Sequence, residues 1–149
     1  MSLLDTDHLS ILQRRTSRGF SGLQRRLARL RKESVHVSIV SFHEQVTGWN
    51  AFLNRATTPE QVCHAYEMLE DALRHYSKLR ILPFDDVAAR VFEQLNQQRI
   101  RVQTLDLRIA SIAISRGFTL LTRNAVDFAR VPGLKFEDWT TDDISNGSH

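Results

Sequence analysis

The chain has 149 residues, of which 42% are hydrophobic, and a net charge of +3, which indicates one globular domain and excludes a disordered or fibrous chain. Its single cysteine, Cys63, excludes an intramolecular disulfide and a cysteine-based zinc cluster. The first residues do not have the basic head and apolar run of a signal peptide, and no apolar run is long enough to span a membrane. We therefore expect a soluble cytoplasmic protein.

Strands and helices alternate along the sequence, which predicts an α/β domain with a parallel sheet. The first predicted strand is Ser2 to Leu4, and the second is Val35 to Val40. Between them we expect a helix from Thr6 to about Arg15 and a basic helix from Leu23 to Lys32.

The next two helices are predicted from their caps. Ser41 is expected to open a helix that reaches about Asn54, with Glu44 completing a capping box. Thr58-Pro59-Glu60-Gln61 combines an N-cap, a proline at the first helical position and a capping-box glutamine, and begins a helix that ends near Ser77. Its predicted buried face is the apolar stripe Val62, Tyr66, Leu69, Leu73, Tyr76 and Leu79.

The last third of the chain continues the alternation. The predicted elements are a strand from Arg80 to Leu82, a helix from Asp85 or Asp86, a helix from Leu105 to Arg116 that ends at Gly117, and strands at Thr119 to Leu121 and Leu134 to Phe136. We expect one domain over residues 1–140 and a polar, flexible tail over residues 141–149.

Basic residues are concentrated in one segment that contains no acid. They are Arg14, Arg15, Arg18, Arg25, Arg26, Arg29, Arg31 and Lys32. One interpretation is a surface for a phosphate backbone, because the planar guanidinium group suits phosphate oxygens. The other is a solvated helix face above Leu23, Leu27 and Leu30, which would also suit an acidic protein partner.

Acidic and amide side chains fall where predicted strands end or helices begin. They are Asp5 after the first strand, Glu44 and Asp106 in first helical turns, and Asn124 and Asp127 after the fourth strand. Because the carboxyl ends of parallel strands share one edge of a sheet, we expect these groups to converge. Carboxylate oxygens suit Mg²⁺ or Mn²⁺, and the cation would offset their mutual repulsion. Each acid taken alone has an ordinary alternative as a helix cap.

Four segments together resemble a PIN domain and, more narrowly, the VapC-type ribonuclease toxins of bacterial toxin–antitoxin pairs. They are Leu3-Leu4-Asp5-Thr6-Asp7, Ser41-Phe42-His43-Glu44, Asp106-Leu107-Arg108-Ile109-Ala110-Ser111-Ile112-Ala113 and Leu121-Thr122-Arg123-Asn124-Ala125-Val126-Asp127-Phe128. The resemblance covers nearly the whole chain. It implies a three-layer α/β/α sandwich with a central, mainly parallel sheet, and magnesium-dependent endonucleolytic cleavage of RNA, with Mn²⁺ as a substitute.

The resemblance also implies roles for individual residues. Asp5 and Asp106 match the family's metal-binding aspartates, and Glu44 matches its acidic partner. Asn124 stands where many members have Asp or Asn. Since an amide is neutral, either Asp127 supplies the fourth charge or a second metal binds weakly. We expect a magnesium ion held by Asp5 and Asp106 to activate a water and position the scissile phosphate.

RNA contact is predicted at polar and aromatic side chains. The predicted phosphate contacts are Thr122, Arg123, Arg25, Arg26 and Arg29. The candidates for stacking on bases are Trp49, Phe20 and Phe42. For Trp49 the helical spacing favours packing instead.

The family resemblance implies partners as well. They are a small antitoxin whose C-terminal segment covers the acidic site and inserts an Arg or Lys among the carboxylates, and a second copy of the chain in a homodimer or a toxin–antitoxin hetero-oligomer. Two alternatives stay open: a housekeeping PIN nuclease in RNA processing, and a catalytically silent PIN module that binds nucleic acid or protein. The presence of Asp5, Glu44 and Asp106 argues against the silent module.

Overall fold

A computed structural model describes residues 1–14 and 19–141 of the chain. Within these ranges the strands are β1 (Ser2–Leu4), β2 (Val35–Ser38), β3 (Arg80–Leu82), β4 (Thr119–Leu121) and β5 (Lys135–Glu137). The α-helices are α1 (Thr6–Arg14), α2 (Phe20–Ala28), α3 (Ile39–Arg55), α4 (Pro59–Ser77), α5 (Asp86–Gln97), α6 (Thr104–Arg116) and α7 (Ala125–Phe128), and a 3₁₀ turn spans Lys32–Ser34. Arg15, Arg18 and the predicted tail beyond residue 141 lie outside the described residues.

The strands form one parallel sheet in the order β3-β2-β1-β4-β5. β1 is central, and Leu4 at its carboxyl end is in register with Val37 of β2 and Leu121 of β4. The chain first adds β2 and β3 on one side of β1 and then β4 and β5 on the other, so a topological switch point lies between β1 and β4. The predicted α/β fold with a parallel sheet is confirmed.

Helices cover both faces of this sheet. Successive strand residues point to opposite faces. Leu3 accordingly belongs to a core cluster with Leu95 of α5 and Ile109 of α6, whereas Leu4 belongs to a second cluster with Leu9 of α1 and Tyr76 of α4. These two apolar clusters make the sheet the middle layer of an α/β/α sandwich, as the family resemblance implies.

The structure corrects the junction of β2 and α3. Ser38 is the N-cap of α3, since its hydroxyl accepts a hydrogen bond from the N–H of Ser41 at 3.0 Å. Ile39 and Val40 are therefore helical, although their β-branched or apolar side chains suit a strand. The predicted capping box of Ser41 with Glu44 is wrong, and Glu44 lies in the second helical turn.

The basic helix also differs from its prediction, because α2 begins and ends three to four residues earlier than Leu23 to Lys32. It follows Gly19, which has a φ of 93°, a left-handed conformation that favours glycine. A Cβ atom at Gly19 would lie 2.8 Å from the Cβ of Thr140. This close approach ties the start of α2 to the segment that follows β5.

The N-cap of α4 is confirmed, with both hydrogen bonds of the Thr58 and Gln61 capping box present. The predicted buried stripe of α4 is confirmed at Tyr76, is half-buried at Leu69 and Leu79, and is wrong at Val62, Tyr66 and Leu73. Tyr66 and Leu73 are 59% and 62% exposed, whereas small residues such as Ala65 and Ala72 face the core together with Tyr76. No helix within the described ranges, α4 included, is both long and apolar enough to cross a membrane.

Candidate active site

Asp5 lies directly after β1, at the switch point of the sheet. Its side chain is buried, with 5% of the residue exposed. The carboxylate accepts a hydrogen bond from the Thr6 N–H on Oδ1 and from the Thr122 hydroxyl on Oδ2, each at 2.8 Å. Burial, followed by the negative charge of Asp7, raises the pKa of Asp5 to about 7. Without a compensating positive charge, ionising this carboxylate is unfavourable.

Glu44 and Asp106 complete a group of three acids at this edge. The Thr6 hydroxyl donates to Oε2 of Glu44 at 3.2 Å, and burial, together with the charge of Asp7, raises the pKa of Glu44. Asp106 lies in the first turn of α6. Burial, then the charges of Glu44, Asp127 and Asp7, raises the pKa of Asp106 to about 6. The predicted acids therefore lie near enough to repel one another.

Asp7 is a fourth acid at this edge, and the sequence prediction missed it. Its Oδ1 is 2.8 Å from Nδ1 of His8. Its Oδ2 accepts a hydrogen bond from the Arg123 N–H at 2.9 Å and lies 3.3 Å from the Thr122 hydroxyl oxygen. Burial alone would raise the pKa of Asp7, but the hydrogen bonds from His8 and Arg123 lower it below its ordinary value. The signal for this residue was its spacing from Asp5, which puts both carboxylates beside the same strand end.

Thr122 orients carboxylates instead of presenting a surface to substrate. The residue is completely buried. Its hydroxyl donates to Asp5 and accepts a hydrogen bond from the Asn124 N–H at 3.0 Å. The predicted phosphate contact at Thr122 is therefore revised. The side chain of Arg123 is exposed beside the site and stays a predicted substrate contact.

Asn124 is the N-cap of α7, a short helix that the sequence does not predict. Its Oδ1 accepts from the Asp127 N–H at 3.4 Å, and its Nδ2 donates to Asp127 Oδ2 at 2.9 Å. The side-chain amide of Asn124 therefore forms these hydrogen bonds within the turn. Asp127 carries the charge that acts on Asp106, and it lies 3.6 Å from a guanidinium nitrogen of Arg130. Asp127, unlike the neutral Asn124, therefore adds a further negative charge near Asp106.

Two of the predicted basic contacts, Arg25 and Arg26, lie on α2, and Arg29 is its C-cap. Arg25 and Arg29 are exposed, and Arg26 is half-buried. Arg26 donates to the carbonyl oxygen of Asp138 at 3.4 Å, which places α2 next to the segment after β5. Phe20, the first residue of α2, is half-buried.

The other two aromatic candidates take part in packing. The Trp49 ring contacts Phe52 and His64 edge-on, with centroids 5.6 Å apart in both pairs. Phe42 packs edge-on against Tyr76 at 5.2 Å. Their rings hold α3 against α4, as the helical spacing of Trp49 favours.

The donor chemistry of the site suits a hard divalent cation. Within residues 1–14 and 19–141, no group of three or more His, Cys, Asp or Glu side chains is arranged so that it could hold a metal ion. Asp5, Glu44 and Asp106 nevertheless offer carboxylate oxygens, the ligands that magnesium prefers. The pKa values of all three carboxylates are raised, chiefly by burial, and a bound cation would lower them.

Comparisons with known proteins agree with this geometry. The PIN domain family matches residues 3–134. Over 63 residues the chain is 44% identical to ribonuclease VapC1 of Rickettsia felis, covering 40% of this chain and 47% of that protein. Over 67 residues it is 36% identical to the tRNA(fMet)-specific endonuclease VapC of Salmonella typhimurium, covering 42% and 51%. The chain thus spans about half the length of the curated relatives it matches.

A solved structure is similar over almost the whole chain. The crystal structure of DNA-bound VapBC from Salmonella typhimurium matches with a TM-score of 0.72 and 25% sequence identity. The match covers 93% of this chain and 97% of that one. The overall fold of this chain is therefore similar to one that has been solved experimentally.

Proposed function

This chain belongs to the PIN-domain family, and we propose that it is a metal-dependent endoribonuclease that acts as the toxin of a toxin–antitoxin pair. The observation that carries this proposal is the convergence of Asp5, Glu44 and Asp106 at the switch point of the parallel sheet, where burial and like charges raise their pKa values. Active sites of open α/β sheets lie at such points, and perturbed carboxylates are common in them.

In the proposed enzyme, Asp5 and Asp106 hold a magnesium ion, for which manganese substitutes. When bound, the ion supplies positive charge that stabilises the phosphate in the transition state and lowers the pKa of a coordinated water. Each Asp5 oxygen accepts one hydrogen bond and keeps a further lone pair for a cation. The raised pKa values of both aspartates are those expected of a site that ionises fully only with its cation.

The other side chains orient these groups. The Thr122 hydroxyl and the Thr6 N–H hold the two oxygens of Asp5. The Thr6 hydroxyl holds Glu44, which we assign to accept a proton from the attacking water or to orient it. Such supporting hydrogen bonds reduce the reorganisation that the reaction needs.

RNA is the proposed substrate, because the two relatives are a ribonuclease and a tRNA(fMet)-specific endonuclease. A phosphate backbone would be attracted by the exposed Arg25 on α2, by the exposed Arg29 at the end of that helix and by Arg123 beside the site, with Arg26 as a further contact. The proposed protein partner is a small antitoxin whose C-terminal segment covers the carboxylates. A homodimer, or a hetero-oligomer with the antitoxin, is also proposed. Exposed apolar side chains on α4, such as Tyr66 and Leu73, are consistent with association.

Cleavage assays with purified protein test the nuclease. The substrates are a mixed RNA pool and initiator tRNA, each with magnesium and with EDTA. We expect magnesium-dependent cleavage by the wild type and by the control Asp71→Asn, which changes an exposed residue of α4, and loss of cleavage in Asp5→Asn and Asp106→Asn. The proposal fails if antitoxin-free wild type leaves both substrates intact, or if either aspartate variant cleaves at the wild-type rate.

A further inference from the structure

His8 is a completely buried residue next to the candidate active site, and the proposed chemistry does not use it. It lies in α1 and is 0% exposed. Its imidazole joins two parts of the chain that are far apart in sequence. Nδ1 is 2.8 Å from Oδ1 of Asp7, and Nε2 is 3.1 Å from the backbone nitrogen of Trp139.

The two partners determine which ring nitrogen carries the proton. A backbone N–H can only donate, so Nε2 of His8 must accept the hydrogen bond from Trp139. Nδ1 therefore carries the proton and donates it to the carboxylate of Asp7. The nearest oxygen of Asp138 is 3.6 Å from Nε2, which is too long for a hydrogen bond, so it does not compete with Trp139.

The segment that supplies the Trp139 N–H is itself anchored. Thr140 packs closely against Gly19 at the start of α2, and its N–H donates to Oδ1 of Asp138 at 2.8 Å. Arg26 of α2 donates to the Asp138 carbonyl oxygen. Residues 138–141, which we name the anchor segment, thus connect α2 to the imidazole of His8.

We propose that His8 is a positioning residue of the active site, which the anchor segment keeps in its Nδ1–H tautomer so that it holds the Asp7 carboxylate in place. The inference rests on the proposed nuclease function. Asp7 in turn accepts from the Arg123 N–H, and the hydroxyl of the neighbouring Thr122, 3.3 Å from Asp7, donates its one proton to Asp5 at 2.8 Å. The path from the anchor segment to Asp5 therefore runs through the hydrogen bonds of His8 and Asp7, then through the backbone that joins Arg123 to Thr122, and last through the Thr122 hydroxyl.

Two substitutions separate the two hydrogen bonds of His8. In His8→Asn, the amide nitrogen takes the place of Nδ1 and keeps a donor for Asp7, but nothing reaches Trp139. In His8→Gln, the longer side chain brings an amide oxygen to the place of Nε2, which accepts from Trp139 but leaves Asp7 without its donor. Each variant loses one of two buried hydrogen bonds, so a merely structural role would lower activity and thermal midpoint equally in both.

We expect kcat for RNA cleavage with magnesium to fall about 10–100-fold in His8→Gln, with KM changed less than kcat. The kcat of His8→Asn should be at least about threefold higher than that of His8→Gln. The matched control is His64→Gln on α4, which should cleave at the wild-type rate. Equal losses of kcat in His8→Asn and His8→Gln would overturn the proposal.

A double substitution tests whether His8 acts through Asp7. If it does, adding His8→Gln to Asp7→Asn should slow cleavage no further than Asp7→Asn alone, whereas independent effects would multiply. Multiplication of the two losses would contradict the proposed connection.

The tautomer is measured independently of RNA cleavage. Imidazole nitrogen NMR spectra of the full-length chain, with His8 assigned by the signal missing in His8→Asn, should show Nδ1 protonated and Nε2 unprotonated at neutral pH. A proton on Nε2 would overturn the proposal even if the enzyme cleaves RNA. If the wild type cleaves no RNA, the nuclease proposal fails, and an observed Nε2–H form would be a separate failure of the His8 proposal.

Discussion

Two regions of the molecule differ in what stabilises them. One is the carboxylate edge, by which we mean the edge of the sheet where the strands end and the acidic side chains lie, and the other is the helical hairpin of α3 and α4. At the edge, Asp5 is buried among other acids and its pKa is raised to about 7. In the hairpin, the Thr58 cap is satisfied, aromatic rings such as Trp49 pack between the helices, and Leu73 is left exposed. The hairpin is stabilised by its own local contacts, whereas the edge carries repulsion that a bound cation would offset.

The largest expected effect comes from removing one of the repelling charges. Asp106→Asn should lower kcat/KM for RNA by about 100-fold or more, because it removes a proposed metal ligand. In EDTA at pH 8 the same substitution should raise the free energy of unfolding, because Asp106 no longer repels Glu44 and Asp127. Cleavage assays and urea unfolding measure the two effects.

Asp71→Asn is the matched control for that pair of measurements. Asp71 is an exposed residue of α4. Its substitution should leave kcat/KM unchanged and should change the free energy of unfolding by no more than about 0.5 kcal/mol. If Asp106→Asn lowered both kcat/KM and the free energy of unfolding, the result would mean that the carboxylates at this edge do not repel one another in the folded protein.

The next effect is the pH dependence of stability without metal. The folded pKa of Asp5, about 7, lies above the ordinary value of 3.8, so between these pH values the folded state binds more protons than the unfolded state. The contribution of Asp5 to the free energy of unfolding then falls as pH rises from about 4 to about 8, whereas His36, whose pKa burial lowers, contributes in the opposite direction below its ordinary value of 6.5. For Asp5 the fall is on the order of 2–4 kcal/mol, and Asp106 adds in the same direction.

Urea unfolding at pH 5 and pH 8 in EDTA measures this slope. Magnesium should remove most of the difference by binding the ionised carboxylates, and Asp5→Asn should flatten the slope in EDTA. Asp7 does not contribute to this slope. Because its pKa in the folded state is lowered, it changes the free energy of unfolding only at pH values below its ordinary pKa of 3.8. A protein that is more stable at pH 8 than at pH 5 in EDTA would contradict the prediction.

The hairpin should respond to a local change that leaves the edge untouched. Thr58→Ala removes the capping-box hydroxyl that accepts from the Gln61 N–H, and should lower the free energy of unfolding by about 1 kcal/mol. Thr58→Ser keeps the cap and serves as the control. RNA cleavage at 25 °C should be unchanged in both variants, and a parallel loss of cleavage would mean that the two regions are coupled.

The difference between the regions also explains what the sequence predicts well. Thr58 and Gln61, and the left-handed Gly117 that ends α6, are predicted because their signals are local. The cap at Ser38 is missed because two serines three residues apart suit the position equally, and only the end of β2 in the sheet selects between them. The exposure of Tyr66 and Leu73 on α4 is missed because the periodicity of apolar residues does not say which part of a helix surface another element covers.

The candidate site divides in the same way. The convergence of Asp5, Glu44 and Asp106 is predicted, because the carboxyl ends of parallel strands share one edge of a sheet whatever the exact boundaries of the strands are. The roles of Asp7 and Thr122 are missed because the contacts of Asp7 with Thr122 and Arg123 join residues 115 and 116 positions apart. Long-range partners of this kind leave no trace in local spacing.

The smallest effect concerns Tyr76, the residue of α4 where the hairpin meets the carboxylate edge. The ring is buried, and its hydroxyl has no hydrogen-bond partner in the described part of the chain. Burial, and then the charge of Glu44, raises the pKa of this phenol. Because an unpaired buried hydroxyl is unfavourable, Tyr76→Phe should leave the free energy of unfolding unchanged or raise it by up to about 1 kcal/mol. Urea unfolding beside the exposed control Tyr66→Phe measures this, and a loss above about 1 kcal/mol would mean that the hydroxyl donates to Glu44 and belongs to the edge.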